Sequence, residues 1–232
     1  MKAQSISCLS NLKQLQLAWS MYVDENNGLL APNMAAMVGS HSTATPGSWV
    51  EGNAQTDMNG TNIQRGVMYA YVKAVRVYRC PGDTSIAQAV RGPRMRSYSM
   101  NIWLNGARTP ANPMFPPDWG SAVDQLHLVK SKLSELVLPP PSSVFVFMEQ
   151  HEQSIEDGYM RVENPKYGPW NSWWDLPSDR HNRVGNVSFA DHHVEQVKWK
   201  YPKKFITYAQ SVASASEDQQ DFRRAQGWVP VK

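Results

Sequence analysis

The 232 residues predict an α+β protein in which a long N-terminal helix packs across an antiparallel sheet with long loop insertions. Three stretches carry that prediction. In residues 8–28, CLSNLKQLQLAWSMYVDENNG, the side chains Cys8, Leu12, Leu15, Trp19 and Tyr22 recur at steps of four, three, four and three. That spacing draws one stripe along an α-helix. Residues 143–148, SVFVFM, form a continuous run of β-branched and aromatic residues, as a central strand requires. Residues 185–199, GNVSFADHHVEQVKW, place Asp191-His192 between two strand-like runs, as the central pair of a two-residue hairpin turn.

The helix has a marked end and an unmarked start. Asp24, Glu25, Asn26 and Asn27 lose the apolar pattern, Gly28 suits the left-handed C′ position, and Pro32 follows. Ser5 or Ser7 offers a cap, but neither has Glu or Gln three residues on. Leu9, Leu17 and Met21 widen the apolar surface, so cover on more than one side is expected. A helix over residues 5–27 would run about 35 Å. Its form is that of a segment taken from a longer helix.

The chain then crosses a polar stretch to residue 62, with a short strand expected at Trp49-Val50. Residues 67–77 predict a second helix that delivers Cys80 to the turn Arg79-Cys80-Pro81-Gly82-Asp83. Residues 96–101 alternate as a strand, and residues 109–120, with four prolines, predict a surface loop. One helical turn is expected over residues 132–136, and residues 158–162 are expected to pair beside the strand at 143–148. In the hairpin Phe189 faces Val194. After Pro202 a peripheral helix to about residue 213 is expected, then a polar stretch and Trp228.

A net charge of +3 with 19% charged residues describes an ordinary surface and does not point to a nucleic-acid binder, whose basic residues would cluster. Lys198, Lys200, Lys203 and Lys204 are read as a solvated face. No run of 18 apolar residues is present, and no phosphate loop, GxSxG elbow or HExxH pair. Two cysteines cannot make a zinc site alone. Cys8 and Cys80 are therefore either free buried thiols or a disulfide. The disulfide is preferred, because an oxidising compartment suits the Trp-, Tyr- and Pro-rich composition. Such a bond would stabilise by roughly 4 kcal/mol.

Three further groups invite chemistry. His181, His192 and His193 with Asp191 are zinc or iron ligand types, but strand alternation puts His192 and His193 on different faces. A structural hydrogen bond from His181 to the turn at Asp191 and His192 is preferred. Glu149, Glu152 and Asp157 offer oxygen ligands for calcium, without an EF-hand spacing. Trp170, Trp173 and Trp174 would stack on sugar rings if exposed; burial as loop anchors is preferred.

Residues 8–28, together with YRCPGD (78–83), RSYSMN (96–101) and RHNRVGNVSFADHHVEQVKW (180–199), resemble the pilin-like proteins of the type II secretion and type IV pilin group. The nearest subgroup is the pseudopilin-like proteins of Planctomycetes and Verrucomicrobia. Its C-terminal motif is a His followed after nine residues by Asp-Gly; here these are His181 and Asp191, with His192 in place of the Gly. The resemblance implies a pilin-like fold, with residues 1–28 continuing a membrane helix and residues 29–232 forming the head. It implies a prepilin leader before Met1 and an extracytoplasmic location, periplasmic or at the cell surface, anchored in the inner membrane. An extracytoplasmic head also supports the disulfide. The function it implies is that of a non-enzymatic filament subunit that self-associates through the missing helix and meets other pilin-like subunits. No nucleic acid and no required cofactor enter, although some relatives bind calcium. The competing readings are a glycan- or surface-binding module built on residues 170–174 and a metal-dependent hydrolase around His181 and Asp191.

Overall fold

In the computed structural model, which describes residues 2–39, 41–87, 89–105, 128–166 and 171–231, a long helix lies across one face of a five-stranded sheet. The elements are α1 (Lys2–Glu25), β1 (Ala35–Val38), β2 (His41–Ala44), α2 (Thr61–Arg65), α3 (Tyr69–Val72), β3 (Ile86–Ala87), β4 (Gly92–Pro93) and β5 (Tyr98–Asn101). After them come β6 (Phe145–Glu149), β7 (Tyr159–Met160), β8 (Ser172–Trp173), β9 (Val184–Phe189), β10 (Val194–Lys198), β11 (Gln210–Ser211) and α4 (Ser216–Gln226). The main sheet runs β10-β9-β6-β5-β7. Its pairs are antiparallel except β5 with β7, which is parallel. The fold is α+β.

The stripe on α1 is the part that packs. Cys8, Leu12, Leu15 and Trp19 are fully buried, and Val23 nearly so. Burying each of the larger side chains is worth about 1.5–3 kcal/mol. Leu17 and Met21 remain 58% and 42% exposed, so cover on a second side is not found. At about 100° per residue, Ile6, Leu17 and Met21 lie opposite the stripe and face away from the sheet. In the first two turns Ala3, Gln4, Ile6 and Ser7 are exposed, while Ser5 is buried and its hydroxyl accepts from Gln196 Nε2 at 2.5 Å. The helix ends as its sequence requires. Asn27 and Gly28 take φ of 55° and 79°, and Gly28 N–H donates to Val23 O at 2.9 Å. Nothing lies within 4 Å of a Cβ placed at Gly28, so only backbone conformation selects glycine there.

β6 is the central strand, and a bulge divides its side chains between two cores. Its register with β9 shifts between Phe145 and Met148. Val146 and Phe147 therefore join the core under α1, while Phe145 and Met148 join the core on the opposite face. The second core is closed by Trp173, Trp199, Phe222, Ala225 and Val229. The sheet thus separates α1 from α4. Strict alternation would have placed Glu149 on the face of Phe145; the bulge returns it to the α1 side.

Several local expectations are corrected. Residues 67–77 do not form one helix: α3 and a 3-10 turn at Val75–Tyr78 replace it. Lys73, in left-handed conformation (φ 51°), stops α3 before that turn. The strand near residue 160 pairs with β5, not β6, because β9 occupies the other edge of β6. Trp49 and Val50 are buried core residues outside any strand. The 3-10 turn Leu133–Glu135 takes the place of the expected helical turn. Residues 109–120 lie outside the described residues. The C-terminal helix lies in the stretch read as polar. Asp218 and Asp221 point inward from α4, where both bind the buried Lys203 ammonium at 2.8 and 2.9 Å. Their polarity hid the amphipathic period, and Lys203 is no part of a solvated face.

The hairpin exists with a different turn. Val194 pairs with Ser188, which leaves Phe189 opposite His193, with rings stacked 4.4 Å apart. His192 N–H donates to Phe189 O and Phe189 N–H to His193 O, which closes a three-residue loop. Only His192 takes positive φ (77°), the left-handed position after the first turn.

Two substitutions test this account by urea denaturation. Leu15→Ala is expected to cost about 2–5 kcal/mol, whereas Leu17→Ala should stay within about 0.5 kcal/mol. Equal costs would contradict the one-sided packing. His192→Gly is expected to be neutral or to stabilise by up to ~1 kcal/mol, since glycine takes positive φ freely. A clear loss would show that the His192 side chain holds the turn.

Candidate functional site

Four donor groups meet beneath α1. The helix supplies Cys8, the turn after the 3-10 segment Cys80, the end of β6 Glu149, and the segment leading into β9 His181. All four are buried, and one donor atom from each lies within 4.8 Å of all the others. Each is held by its own surroundings. Tyr98, on β5, places its hydroxyl 3.0 Å from Cys8 Sγ and donates to Cys8 O. The Cys80 turn closes through Asp83 N–H to Cys80 O at 2.9 Å, and Gly82 N–H donates to Cys80 Sγ at 3.3 Å. Ser97 Oγ accepts from Cys80 N–H and donates to Asp83. A Cβ at Gly82 would stand 2.7 Å from His181 Cε1, so glycine is what lets the imidazole approach.

Arg180 anchors the cluster. Its guanidinium donates to Glu149 Oε1 at 2.8 Å and to Gln150 O at 3.0 Å, and also meets Glu152 and Asp83. The second carboxylate oxygen of Glu149 accepts from Asn186 Nδ2 at 2.9 Å. Burial alone would raise the Glu149 pKa, but the charges of Arg180 and His181 hold it down to about 2. Burial would likewise lower His181; its hydrogen bonds to Cys80 and Glu149 push it up to about 9 instead. The hydrogen bond from Cys8 brings Cys80 down to about 7 against its burial, with His181 assisting. Burial pushes Cys8 up.

This arrangement differs in geometry from a Cys–His–acid relay. A Cys–His–acid relay uses both ring nitrogens, one for the thiol and the other for the orienting carboxylate. Here one nitrogen, His181 Nε2, faces both Cys80 Sγ at 3.1 Å and Glu149 Oε1 at 3.4 Å. The donors converge on a point rather than forming a chain.

The residues singled out in the sequence are regrouped. Cys8 and Cys80 are brought together, but both are free, so the expected bond is not formed. Besides facing each other, the sulfurs have further neighbours, Tyr98 at Cys8 and His181 and Gly82 at Cys80. His181 does not support the hairpin turn. Asp191 is exposed there and binds the His193 ring at 2.5 Å. His181 instead meets Cys80 and Glu149, so the two residues proposed together have different partners. His192 and His193 belong to no metal-ligand group among the described residues. Glu149, Glu152 and Asp157 do not share a calcium site either. Arg180 takes the two glutamates, while Asp157 accepts from Ser42 Oγ and Tyr159 N–H. Trp173 is buried and donates to Asp218, and Trp174 is half-buried under the Arg161 guanidinium, 4.0 Å from its ring centre. Trp170 lies outside the described residues. The roles of Arg180 and Tyr98 were missed; a Cys-Pro-Gly-Asp turn and an Arg-His pair flanking strands were the only signals of them.

Burial pushes Asp157 up to about 6, despite its hydrogen bond from Ser42. A carboxyl raised above its unfolded value favours folding when protonated, and this contribution is lost as pH rises through 6. Asp157→Asn retains an acceptor for Tyr159 N–H. Its stability relative to the parent should therefore climb between pH 4 and 6.5 and then level off. A stability difference independent of pH, measured by denaturation at each pH, would show that Asp157 is ionised throughout.

The chain matches no known protein family, no characterised protein and no solved structure with which it was compared.

Proposed function

We propose that this chain is a non-enzymatic structural subunit of a pilin-like or type II secretion pseudopilus-like filament. In this reading residues 29–232 form an extracytoplasmic head, and α1 joins it to the inner membrane and to neighbouring subunits. The observation that supports it is the two-sidedness of α1. One stripe is sealed onto an antiparallel sheet, while Ile6, Leu17 and Met21 stay exposed on the opposite side at 65%, 58% and 42%. A helix that carries large apolar side chains outward along its length has a surface suited to packing against copies of itself. No described helix is long and apolar enough to cross a membrane. The filament core in this reading is formed by a preceding apolar segment continuous with α1. The glycan-binding alternative receives no comparable support, since Trp173 is buried and the Arg161 guanidinium lies over the Trp174 ring.

The test uses the protein expressed from its own gene in its native cell, followed by antibody in membrane and sheared-surface fractions. Leu17→Asp with Met21→Asp should leave folding intact, because both side chains already meet water, and should remove the protein from sheared filaments at least about tenfold. Wild-type protein absent from membrane and filament fractions, or a double variant that assembles normally, would defeat the reading.

A further inference from the structure

We propose that Cys8, Cys80, Glu149 and His181 are the four ligands of one structural zinc ion that fastens α1 to the sheet. The inference does not depend on the filament reading.

The donor set is the first reason. Two thiolates, an imidazole and a carboxylate suit zinc, a borderline-soft ion with no geometric preference of its own. In a tetrahedral site with ordinary bond lengths the ligand atoms stand about 3.3–3.8 Å apart. Here the four donors lie within 4.8 Å of one another, with His181 Nε2 at 3.1 Å from Cys80 Sγ and 3.4 Å from Glu149 Oε1. Closure onto an ion therefore needs side-chain shifts on the order of 1 Å, not a rearrangement. The second reason is the single nitrogen. His181 Nε2 points at sulfur and oxygen together, which suits a shared ion and not proton transfer.

The surroundings supply the outer contacts that such ligands need. Tyr98 and Gly82 N–H lie against the two sulfurs, and Arg180 and Asn186 orient the carboxylate. Two thiolates and a carboxylate would carry three negative charges, which zinc(II) and the Arg180 guanidinium offset. All four positions are filled by protein, which makes the site structural and leaves no place for substrate. A surface groove lined by Asn11, Arg79, Cys80 and Pro81 borders the cluster on the Cys80 side. On binding, the thiol protons and the proton on His181 Nε2 leave to solvent.

The test uses the full chain purified without chelator. Elemental analysis should find one zinc per chain. Zinc-depleted protein given cobalt chloride should show the intense visible bands of tetrahedral cobalt with thiolate charge transfer. Depletion should lower Tm by roughly 5–10 °C, restored by zinc chloride. Cys80→Ser and His181→Gln should each weaken zinc binding at least about tenfold, while His193→Gln, in the exposed hairpin, should not. If a ligand variant fails to fold, the cobalt spectrum of the wild type decides. An octahedral spectrum, zinc affinity unchanged by Cys80→Ser, or unreduced protein that carries a Cys8–Cys80 disulfide and takes up neither metal would overturn the proposal.

Discussion

The contact of Arg180 with Glu149 is the constraint on which the rest of the structure turns. The Glu149 carboxylate is fully buried and the Arg180 guanidinium mostly covered, so that the carboxylate would not be tolerated there alone. Removing one partner of such a pair costs about 3–5 kcal/mol, because the other is left uncompensated. The pair is useful because it fixes relative position. Arg180 also holds Gln150 O, Glu152 and Asp83, so the end of β6, the approach to β9 and the Cys80 turn are tied at one point. Cys8 then meets Cys80 and His181 only if α1 sits at one depth and one rotation.

That geometry depends on a backbone irregularity. The bulge in β6 sends Phe145 and Met148 to one core and Val146, Phe147 and Glu149 toward α1. Without it the strand would bury its carboxylate among Trp173, Trp199 and Phe222, where no cation awaits it but Lys203. The opposite face has its own polar anchor. Lys203 binds Asp218 and Asp221, lies 4.8 and 5.1 Å from the ring centres of Trp173 and Trp199, and so fixes α4 on the second core. Each face of the sheet thus combines an apolar layer with a buried charge cluster that helps to specify how its helix docks.

The two helices show how function and stability divide between surfaces. α4 uses its inward face for Phe222, Ala225 and the aspartates, and its outward face is polar. α1 keeps apolar side chains on both faces and covers only one. Stability of the head needs only the covered stripe. The outward residues are idle in the isolated fold, and they are what the filament reading employs.

By itself the sequence determined what depends on local periodicity and backbone preference. The α1 stripe, the left-handed end at Gly28, the central strand and the hairpin all follow from spacings of three or four, from runs of β-branched residues, and from turn chemistry. It could not decide the hairpin register: a two-residue and a three-residue loop differ by one position, and the choice rests on pairing Phe189 with His193. It could not reveal α4 either, because its inward aspartates look polar until Lys203 is brought beside them from another part of the chain. The candidate site was legible only as unconnected parts. The sequence pairs Cys8 with Cys80, which do meet, but it attaches Glu149 to an acidic set and His181 to the hairpin turn, since the convergence of all four depends on a bulge, a glycine and an arginine separated along the chain. Those are contacts across space, and only the tertiary structure sets them.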